Sequence, residues 1–152
     1  MNIFSRRKAL AVFLFTISLT TQTTAIAARD AVPPNPVLAF LGAEYIEAGG
    51  KRMTRYYYDV ANKESYPADM FAAAPTLPPC GQNNNASRTW IDIYDLTGHR
   101  LNGFCALGKP SDLTSIWFAL PEEEVPPSWV YIEFTDRKTN TKYKSNLAET
   151  TL

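Results

Sequence analysis

"SWVYIEFTD", residues 128–136, is the clearest strand pattern in this 152-residue chain. Apolar side chains alternate along it with aromatic or polar ones: Val130, Ile132 and Phe134 in one set, Trp129, Tyr131, Glu133 and Thr135 in the other. A period of two predicts a β-strand with one face toward a core. The polar residues 137–141, "RKTNT", then turn the chain, and "KYKSNLA", residues 142–148, return. This segment therefore predicts an antiparallel hairpin.

A second hairpin is predicted directly upstream by the same kind of pattern. From Thr89 onward, Ile91 and Ile93 alternate with Trp90, Asp92 and Tyr94. The sequence "DLTG", residues 95–98, is a turn signal, because Asp bonds the backbone ahead of it and Gly accepts a positive φ. Residues 99–107 then return. In this return strand we expect Leu101 and Cys105 to share the inward face with Leu107.

A third hairpin is predicted near the start of the domain. Residues 37–48 and 51–60 are strand-like and flank Gly49-Gly50, a hairpin signal between two apolar runs. The even positions of the second strand are expected to face the core, which leaves Tyr57 exposed. These inward positions are Tyr56, Tyr58 and Val60. Farther along, "ADMFAAAP" is consistent with one helical turn.

One short helix is predicted between the second and the last hairpin. Ser111 or Asp112 is a suitable N-cap, and Leu113, Ile116 and Trp117 fall at helical spacing before Pro121. We therefore expect the side chains of Trp117 and Phe118 to be buried in the core, on the inner side of this helix. Together these segments predict an all-β fold, an antiparallel sandwich of six strands with one short helix.

The start of the chain has the features of a secretory signal peptide. Arg6, Arg7 and Lys8 precede the apolar run "ALAVFLFTISL", and Ala25-Ile26-Ala27 is a small-x-small cleavage pattern. We expect residues 1–27 to be removed; an uncleaved anchor and a twin-arginine signal are the alternatives. Residues 28–36 then form an extended segment, and residues 37–152 form a single β-sandwich domain. The predicted location is periplasmic or secreted.

The charge balance and the residue counts argue against several classes of function. The 15 basic and 15 acidic residues balance, and loss of the basic signal leaves a weakly acidic chain, which does not favour nucleic acid. No membrane span is expected after signal cleavage. Cys80 and Cys105 are the two cysteines, and in an exported protein they predict one disulfide. His99 is the single histidine, so we expect no metal site and no cofactor.

Two segments of the chain resemble known groups of proteins. The segment "WVYIEFTDRKTNTKYKSN", residues 129–146, resembles the last hairpin of fibronectin type III and immunoglobulin-like domains, which implies a β-sandwich. The segment "CGQNNNASRTWIDIYDLTGHRLNGFCAL", residues 80–107, resembles a module of uncharacterised secreted bacterial proteins, a family that implies no catalytic residues. The long region from Asn62 to Arg88 departs from a standard sandwich.

The candidate functional residues form two groups. If Ile91 and Val130 face the core, four aromatic side chains lie on the opposite sheet face, where they would contact a protein or glycan of the cell envelope unless residues 28–36 or 61–79 cover them. These are Trp90, Tyr94, Trp129 and Tyr131. The second group is a candidate binding loop with Asn83, Asn84, Asn85, Ser87 and Arg88.

These residues favour a non-catalytic binding or interaction module. The first alternative is an inhibitor of an envelope hydrolase, such as a lysozyme or protease, that inserts the loop from Cys80 to Arg88 into the enzyme's cleft. The second alternative is a small hydrolytic enzyme. It would have to use His99 with Asp92 or Asp95, and no nucleophile motif accompanies them.

Overall fold

The computed structural model describes residues 32–80, 86–106 and 108–151. This part of the chain contains eight β-strands in two antiparallel sheets. The strands are β1 (Leu38–Ala48), β2 (Lys51–Val60), β3 (Thr89–Asp95), β4 (Arg100–Ala106), β5 (Ile116–Pro121), β6 (Trp129–Asp136), β7 (Thr141–Lys144) and β8 (Ala148–Glu149). Short 3-10 helices span Lys63–Ser65, Ala68–Phe71 and Pro110–Thr114. The described residues include no helix long and apolar enough to cross a membrane.

The first sheet has the strand order β1-β2-β5. Gly49 and Gly50 turn the chain between β1 and β2 with φ angles of 60° and 72°, which glycine adopts without a Cβ penalty. Along β2 the even positions Tyr56, Tyr58 and Val60 are buried, as predicted, and Tyr57 is half-buried. This alternation gives the sheet one side toward the core and one side away from it.

The second sheet has the order β4-β3-β6-β7, and β8 continues the edge beside β6. Ser145 lies between β7 and β8, where its N–H donates to Ile132 O and its hydroxyl accepts from Ile132 N–H, both at 2.9 Å. The hydroxyl thus replaces a backbone partner where the edge strand is interrupted. The last hairpin therefore forms with the alternation predicted from residues 128–136.

The core lies between the two sheets. Tyr58 and Phe118 bury their side chains from the first sheet, and Ile91, Ile132 and Phe134 bury theirs from the second. The Phe134 ring meets Phe71 and Tyr66 edge-on, with centroids 6.3 and 5.4 Å apart, the geometry that aromatic quadrupoles favour. Burial raises the pKa of Tyr58 to about 12, and its hydroxyl is 2.7 Å from Thr150 Oγ1. The all-β, two-sheet fold is confirmed.

The predicted helix before Pro121 is wrong beyond its first turn. A 3-10 helix covers Pro110–Thr114, and the following Ile116–Pro121 is strand β5, which pairs with Met53–Tyr58 of β2. Pairing with an open edge of β2 outweighs the helical spacing of a few apolar residues. Phe118 is buried as predicted, but Trp117 is 38% exposed because the strand alternates its side chains. Together with β8, this raises the strand number from six to eight.

The disulfide between Cys80 and Cys105 is confirmed, with Cα atoms 5.9 Å apart. The predicted inward direction of Cys105 is wrong. Cys105 pairs directly with Trp90, and residues opposite each other on antiparallel strands point to the same face, here the outward one. A register shift between Ile93 and Tyr94 explains the difference. It inserts Leu101 as an extra residue, so Leu101 packs on the core although it shares the parity of Cys105.

The predicted signal peptide, residues 1–27, lies outside the described residues, as do residues 28–31 of the extended segment and Leu107. The described part of that segment has no regular secondary structure. Tyr66 donates its hydroxyl proton to Pro34 O at 2.9 Å, and Asn62 Nδ2 donates to Asn35 O at 3.0 Å. These contacts hold the segment beside the residues that follow β2.

Candidate functional site

The four predicted aromatic residues lie on the outward side of the second sheet. Trp90 and Tyr94 alternate with the buried Ile91 and Ile93 on β3, and Trp129 and Tyr131 alternate with buried residues on β6. Trp129 is 38% exposed and the other three are half-buried. We call this surface, made of Trp90, Tyr94, Trp129 and Tyr131, the aromatic face.

The middle of the aromatic face is a tyrosine pair. Tyr94 and Tyr131 stand directly opposite each other in the β3–β6 register. Their rings are stacked, with centroids 5.2 Å apart and planes 23° from parallel. Such cross-strand aromatic pairs stabilise a sheet and hold both rings in place. Burial raises the pKa of the Tyr94 hydroxyl, as do the nearby carboxylates of Asp92 and Glu133, so the hydroxyl stays protonated at neutral pH.

An arginine covers one end of the aromatic face. The Arg100 guanidinium lies over the Trp90 ring at 5.4 Å, and its Nε donates to Asp92 Oδ1 at 2.5 Å. Gly103 lies beneath this pair. A Cβ there would collide with the Arg100 guanidinium and with Asp92 Oδ1, so only glycine allows this close approach.

Two lysines from the edge strand complete the surface. Lys144 Nζ lies 3.8 Å from the centroid of the Tyr131 ring, a cation–π contact. Lys142 Nζ donates to Glu133 Oε1 at 2.6 Å, and this bond raises the pKa of Lys142. Sequence reasoning missed these lysines and Arg100. The strand register is what reveals them: Lys144 pairs with Glu133 and therefore points to the same outward face.

The predicted binding loop divides into two parts. Asn83, Asn84 and Asn85 lie outside the described residues. Ser87 is fully buried, and its hydroxyl donates to Ala106 O and lies 3.1 Å from Thr89 O. Ser87 therefore anchors the end of the loop and does not present a side chain to a ligand.

Arg88 is likewise engaged inside the domain. Its Nε and Nη2 donate to the two carboxylate oxygens of Asp136, at 3.1 and 2.8 Å, and its Nη1 pairs with Asp69. The Asp136 side chain is only 3% exposed. Burial alone would raise the pKa of Asp136, but the bonds from Arg88, Lys138 N–H and the Thr139 hydroxyl outweigh it and lower that pKa. Arg88 thus joins the start of β3 to the end of β6.

The residues weighed for catalysis or metal binding do not converge. The Asp95 carboxylate holds its own turn, accepting from Thr97 N–H, the Thr97 hydroxyl and His99 N–H at 2.7–2.9 Å. These bonds, led by the Thr97 hydroxyl, lower the pKa of Asp95. The His99 side chain is 76% exposed, with Nδ1 4.0 Å from Asp95 Oδ2. Asn102, which with Asp92 and Asp95 would supply oxygen ligands for calcium, pairs with the buried Ile93 and so faces away from Asp92. Within the described ranges, no group of three or more His, Cys, Asp or Glu side chains is arranged to hold a metal.

A small cavity lies between β4 and the third 3-10 helix, beside the disulfide. It holds about 190 Å³ and is walled by Phe71, Phe104, Leu113 and Ile116. Pockets for drug-sized ligands measure roughly 300–1,000 Å³. The cavity is therefore smaller than an ordinary ligand site, and the aromatic face is the more extensive candidate surface.

No family model, no curated protein and no solved structure matches this chain.

Proposed function

We propose that this chain is an exported, non-catalytic interaction module that binds another protein of the cell envelope through the aromatic face. The observation that carries the proposal is the gathering of Trp90, Tyr94, Trp129 and Tyr131 on one outward sheet surface. Trp, Tyr and Arg are the residues most enriched among those that dominate binding energy in protein interfaces. The face is also largely preorganised, because its tyrosines stack and its charges pair, which reduces the entropy lost on binding.

The contacts on the face favour a protein partner over a glycan. A sugar stacks on an open aromatic ring face. Here Arg100 lies over Trp90, Lys144 lies over Tyr131, and Tyr94 and Tyr131 cover each other. Besides the exposed Trp129 ring, these contacts leave ring edges, a guanidinium and an ammonium group, which suit the carbonyl, carboxylate and apolar groups of a protein surface.

The absence of catalysis and the export of the chain are parts of the same proposal. His99 is largely exposed and the nearby Asp95 carboxylate is occupied by turn hydrogen bonds, which leaves neither arranged as a general base. The Cys80–Cys105 disulfide supports export, because disulfides persist in oxidising compartments such as the periplasm or the extracellular medium. Residues 1–27 would direct that export as a cleaved signal.

We also propose kinship with fibronectin type III and immunoglobulin-like sandwiches. The support is the strand order: β1-β2-β5 in one sheet and β4-β3-β6-β7 in the other. In immunoglobulin variable domains two extra strands likewise join the sheet that holds the last two strands. The disulfide differs, since it ties the chain before β3 to β4 within one sheet instead of bridging the two sheets.

Replacing Trp129 by alanine is expected to weaken partner binding by about 30-fold, the effect of losing about 2 kcal/mol at an interface hot spot. The purified, oxidised protein serves as bait for envelope and secreted fractions, and mass spectrometry identifies what it retains. The dissociation constant of the identified partner is then measured for the wild type, Trp129→Ala and Tyr131→Ala.

Tyr45→Ala is the control, because Tyr45 is an aromatic residue that is 75% exposed but lies on the first sheet, outside the aromatic face. We expect this variant to bind like the wild type, with circular dichroism showing that all variants are folded. Unchanged affinity of both Trp129→Ala and Tyr131→Ala would exclude the aromatic face. Retention by envelope glycan alone would refute a protein partner.

The second candidate function is inhibition of an envelope hydrolase by the loop between Cys80 and Arg88. The observation that favours it is the anchoring of both ends: Cys80 by the disulfide, and Ser87 by burial and a bridge to Ala73. A loop tethered in this way loses little entropy when it binds a cleft.

If the protein is such an inhibitor, we expect it to slow one enzyme in a panel of muramidases and proteases. Joint replacement of Asn83, Asn84 and Asn85 by alanine is then expected to abolish that effect without lowering Tm. Full activity of every enzyme in the panel would remove this function.

A further inference from the structure

The outward side of the first sheet is a second surface, remote from the aromatic face in the sheet topology. Along β2 the inward positions are buried, so Met53, Arg55 and Tyr57 point outward. Their register partners on β1 and β5 point the same way. We call this surface the Arg55 face; it is formed by Glu44, Ile46, Met53, Arg55, Tyr57 and Trp117.

Arg55 is the centre of this surface. Its guanidinium lies 4.7 Å from the Trp117 ring centroid, and its Nη1 is 3.1 Å from the Tyr57 hydroxyl and 3.5 Å from Glu44 Oε1. The Tyr57 hydroxyl donates to the same Glu44 oxygen. Among the described residues, Arg55 Nε is a buried side-chain nitrogen that lacks a hydrogen-bond partner. The result is one cation and one carboxylate, side by side, within an otherwise apolar and aromatic patch.

The composition of the Arg55 face is that of an interface core. Aromatic residues, Met and Arg are enriched in protein interfaces, and Glu44 is the one member of this face whose residue type is depleted there. The apolar members Ile46 and Met53 are only half-buried and Trp117 is 38% exposed. A sheet face of this kind gains hydrophobic stabilisation when a second surface covers it.

We propose that a second copy of this chain covers the β1 and β2 part of the Arg55 face, which makes the protein a two-fold symmetric dimer. A two-fold interface uses the same patch twice, so the patch must complement itself. Glu44 and Arg55 are directly opposite each other on β1 and β2. A two-fold axis parallel to the strands and midway between β1 and β2 therefore sets each Arg55 over the other copy's Glu44.

The shape of the patch fits the same axis. Tyr57, the largest side chain of β2 on this face, is paired with Gly42 on β1, and no atom lies within 4 Å of a Cβ placed at Gly42. The axis sets each Tyr57 over the open space at the other copy's Gly42 and each Met53 over the other copy's Ile46. Large side chains then face small ones, as in the packing of two sheets in a sandwich.

Charge reversal in two separate variants tests this arrangement. Glu44→Arg gives a face with two cations, and Arg55→Glu gives a face with two carboxylates. Each variant alone is expected to dimerise about 10-fold more weakly than the wild type or worse, because like charges meet across the axis. An equimolar mixture of the two is expected to recover the dimer as a heterodimer. Sedimentation velocity over a wide concentration range measures all three.

The matched control is the ion pair of Arg52 and Glu122 at the end of the first sheet: Arg52 alternates with Met53 and so points to the other side of β2, and Glu122 follows β5. Arg52→Glu and Glu122→Arg are expected to dimerise like the wild type. Met53→Lys adds a charge to the Arg55 face without touching its ion pair, and it is expected to weaken the dimer even if a charge-reversed variant fails to fold. A wild type that stays monomeric at every concentration, or a mixture that recovers no dimer, would overturn the proposal.

Discussion

Replacement of Asp136 by alanine is expected to lower the free energy of unfolding by about 3 kcal/mol, the cost of leaving a buried charge pair without one partner. Asp136 is 3% exposed and accepts two hydrogen bonds from Arg88, one from Lys138 N–H and one from the Thr139 hydroxyl. The substitution therefore removes the hydrogen bonds that join the start of β3 to the end of β6. It also removes the hydrogen bonds that stabilise the turn after β6. Urea unfolding followed by fluorescence measures the loss.

Asp69 provides the control for this substitution. It pairs with the same arginine, but its side chain is 70% exposed. Exposed ion pairs contribute roughly 0–1 kcal/mol, so Asp69→Ala is expected to stay within about 0.5 kcal/mol of the wild type. Equal losses of unfolding free energy in Asp69→Ala and Asp136→Ala would show that the contribution of the Arg88–Asp136 pair does not depend on burial of the Asp136 carboxylate.

The same carboxylate predicts an acid-sensitive stability. Burial opposes ionisation of Asp136, but the bond from Arg88 and the bonds in the turn lower its pKa in the folded state below the ordinary value of an aspartate. A lowered pKa contributes stability that is fully present above the unfolded pKa and is lost as the pH falls through the folded one. The difference in unfolding free energy between the wild type and Asp136→Ala should therefore be constant near neutral pH and shrink below about pH 4.

Joint replacement of Cys80 and Cys105 by alanine is expected to cost about 3 kcal/mol of unfolding free energy, as the chain-entropy model gives for a loop of this length. The two cysteines are 25 residues apart in sequence, and Cys80 is buried. The cross-link restricts the unfolded chain and holds the segment before β3 against β4. Thermal unfolding with and without a reductant measures the effect.

The double alanine variant also serves as its own control for the reductant. A reductant should lower the Tm of the wild type and leave that of the variant unchanged, because the variant has no disulfide to reduce. If the variant unfolds at the same urea concentration as the oxidised wild type, the hydrogen bonds of Ser87 and Arg88 suffice to hold this segment, and the disulfide adds nothing to stability.

Local patterns in the sequence were enough to predict most of the strands. A period of two in residues 89–95 and 128–136 marks strands with one buried side, since consecutive side chains of a strand point in opposite directions. The pair Gly49-Gly50 and the sequence "DLTG" mark turns, since they supply the backbone angles that turns require. The same alternation predicted that Trp90, Tyr94, Trp129 and Tyr131 point away from the core. Their union into one face follows from the pairing of β3 with β6, which the structure shows.

Strand β5 and the direction of Cys105 needed the folded structure. Residues 116–121 have apolar residues at a spacing that suits a helix as well as a strand, and their partner, β2, is distant in sequence. Leu101 is an extra residue at a register shift, so counting by twos from it assigns Cys105 to the wrong side of the sheet.

Turn signals and side-chain alternation are local properties of the chain, so the sequence alone predicted the fold class and the outward direction of the four aromatic residues. The pair of cysteines predicted the disulfide. The surroundings of these residues could be known only from the folded chain. Arg100 and Lys144 lie over aromatic rings, Arg88 pairs with Asp136, and Ser87 is buried because strands far apart in sequence come together in a definite register. That register depends on the packing of two sheets around a shared core, which no local pattern contains.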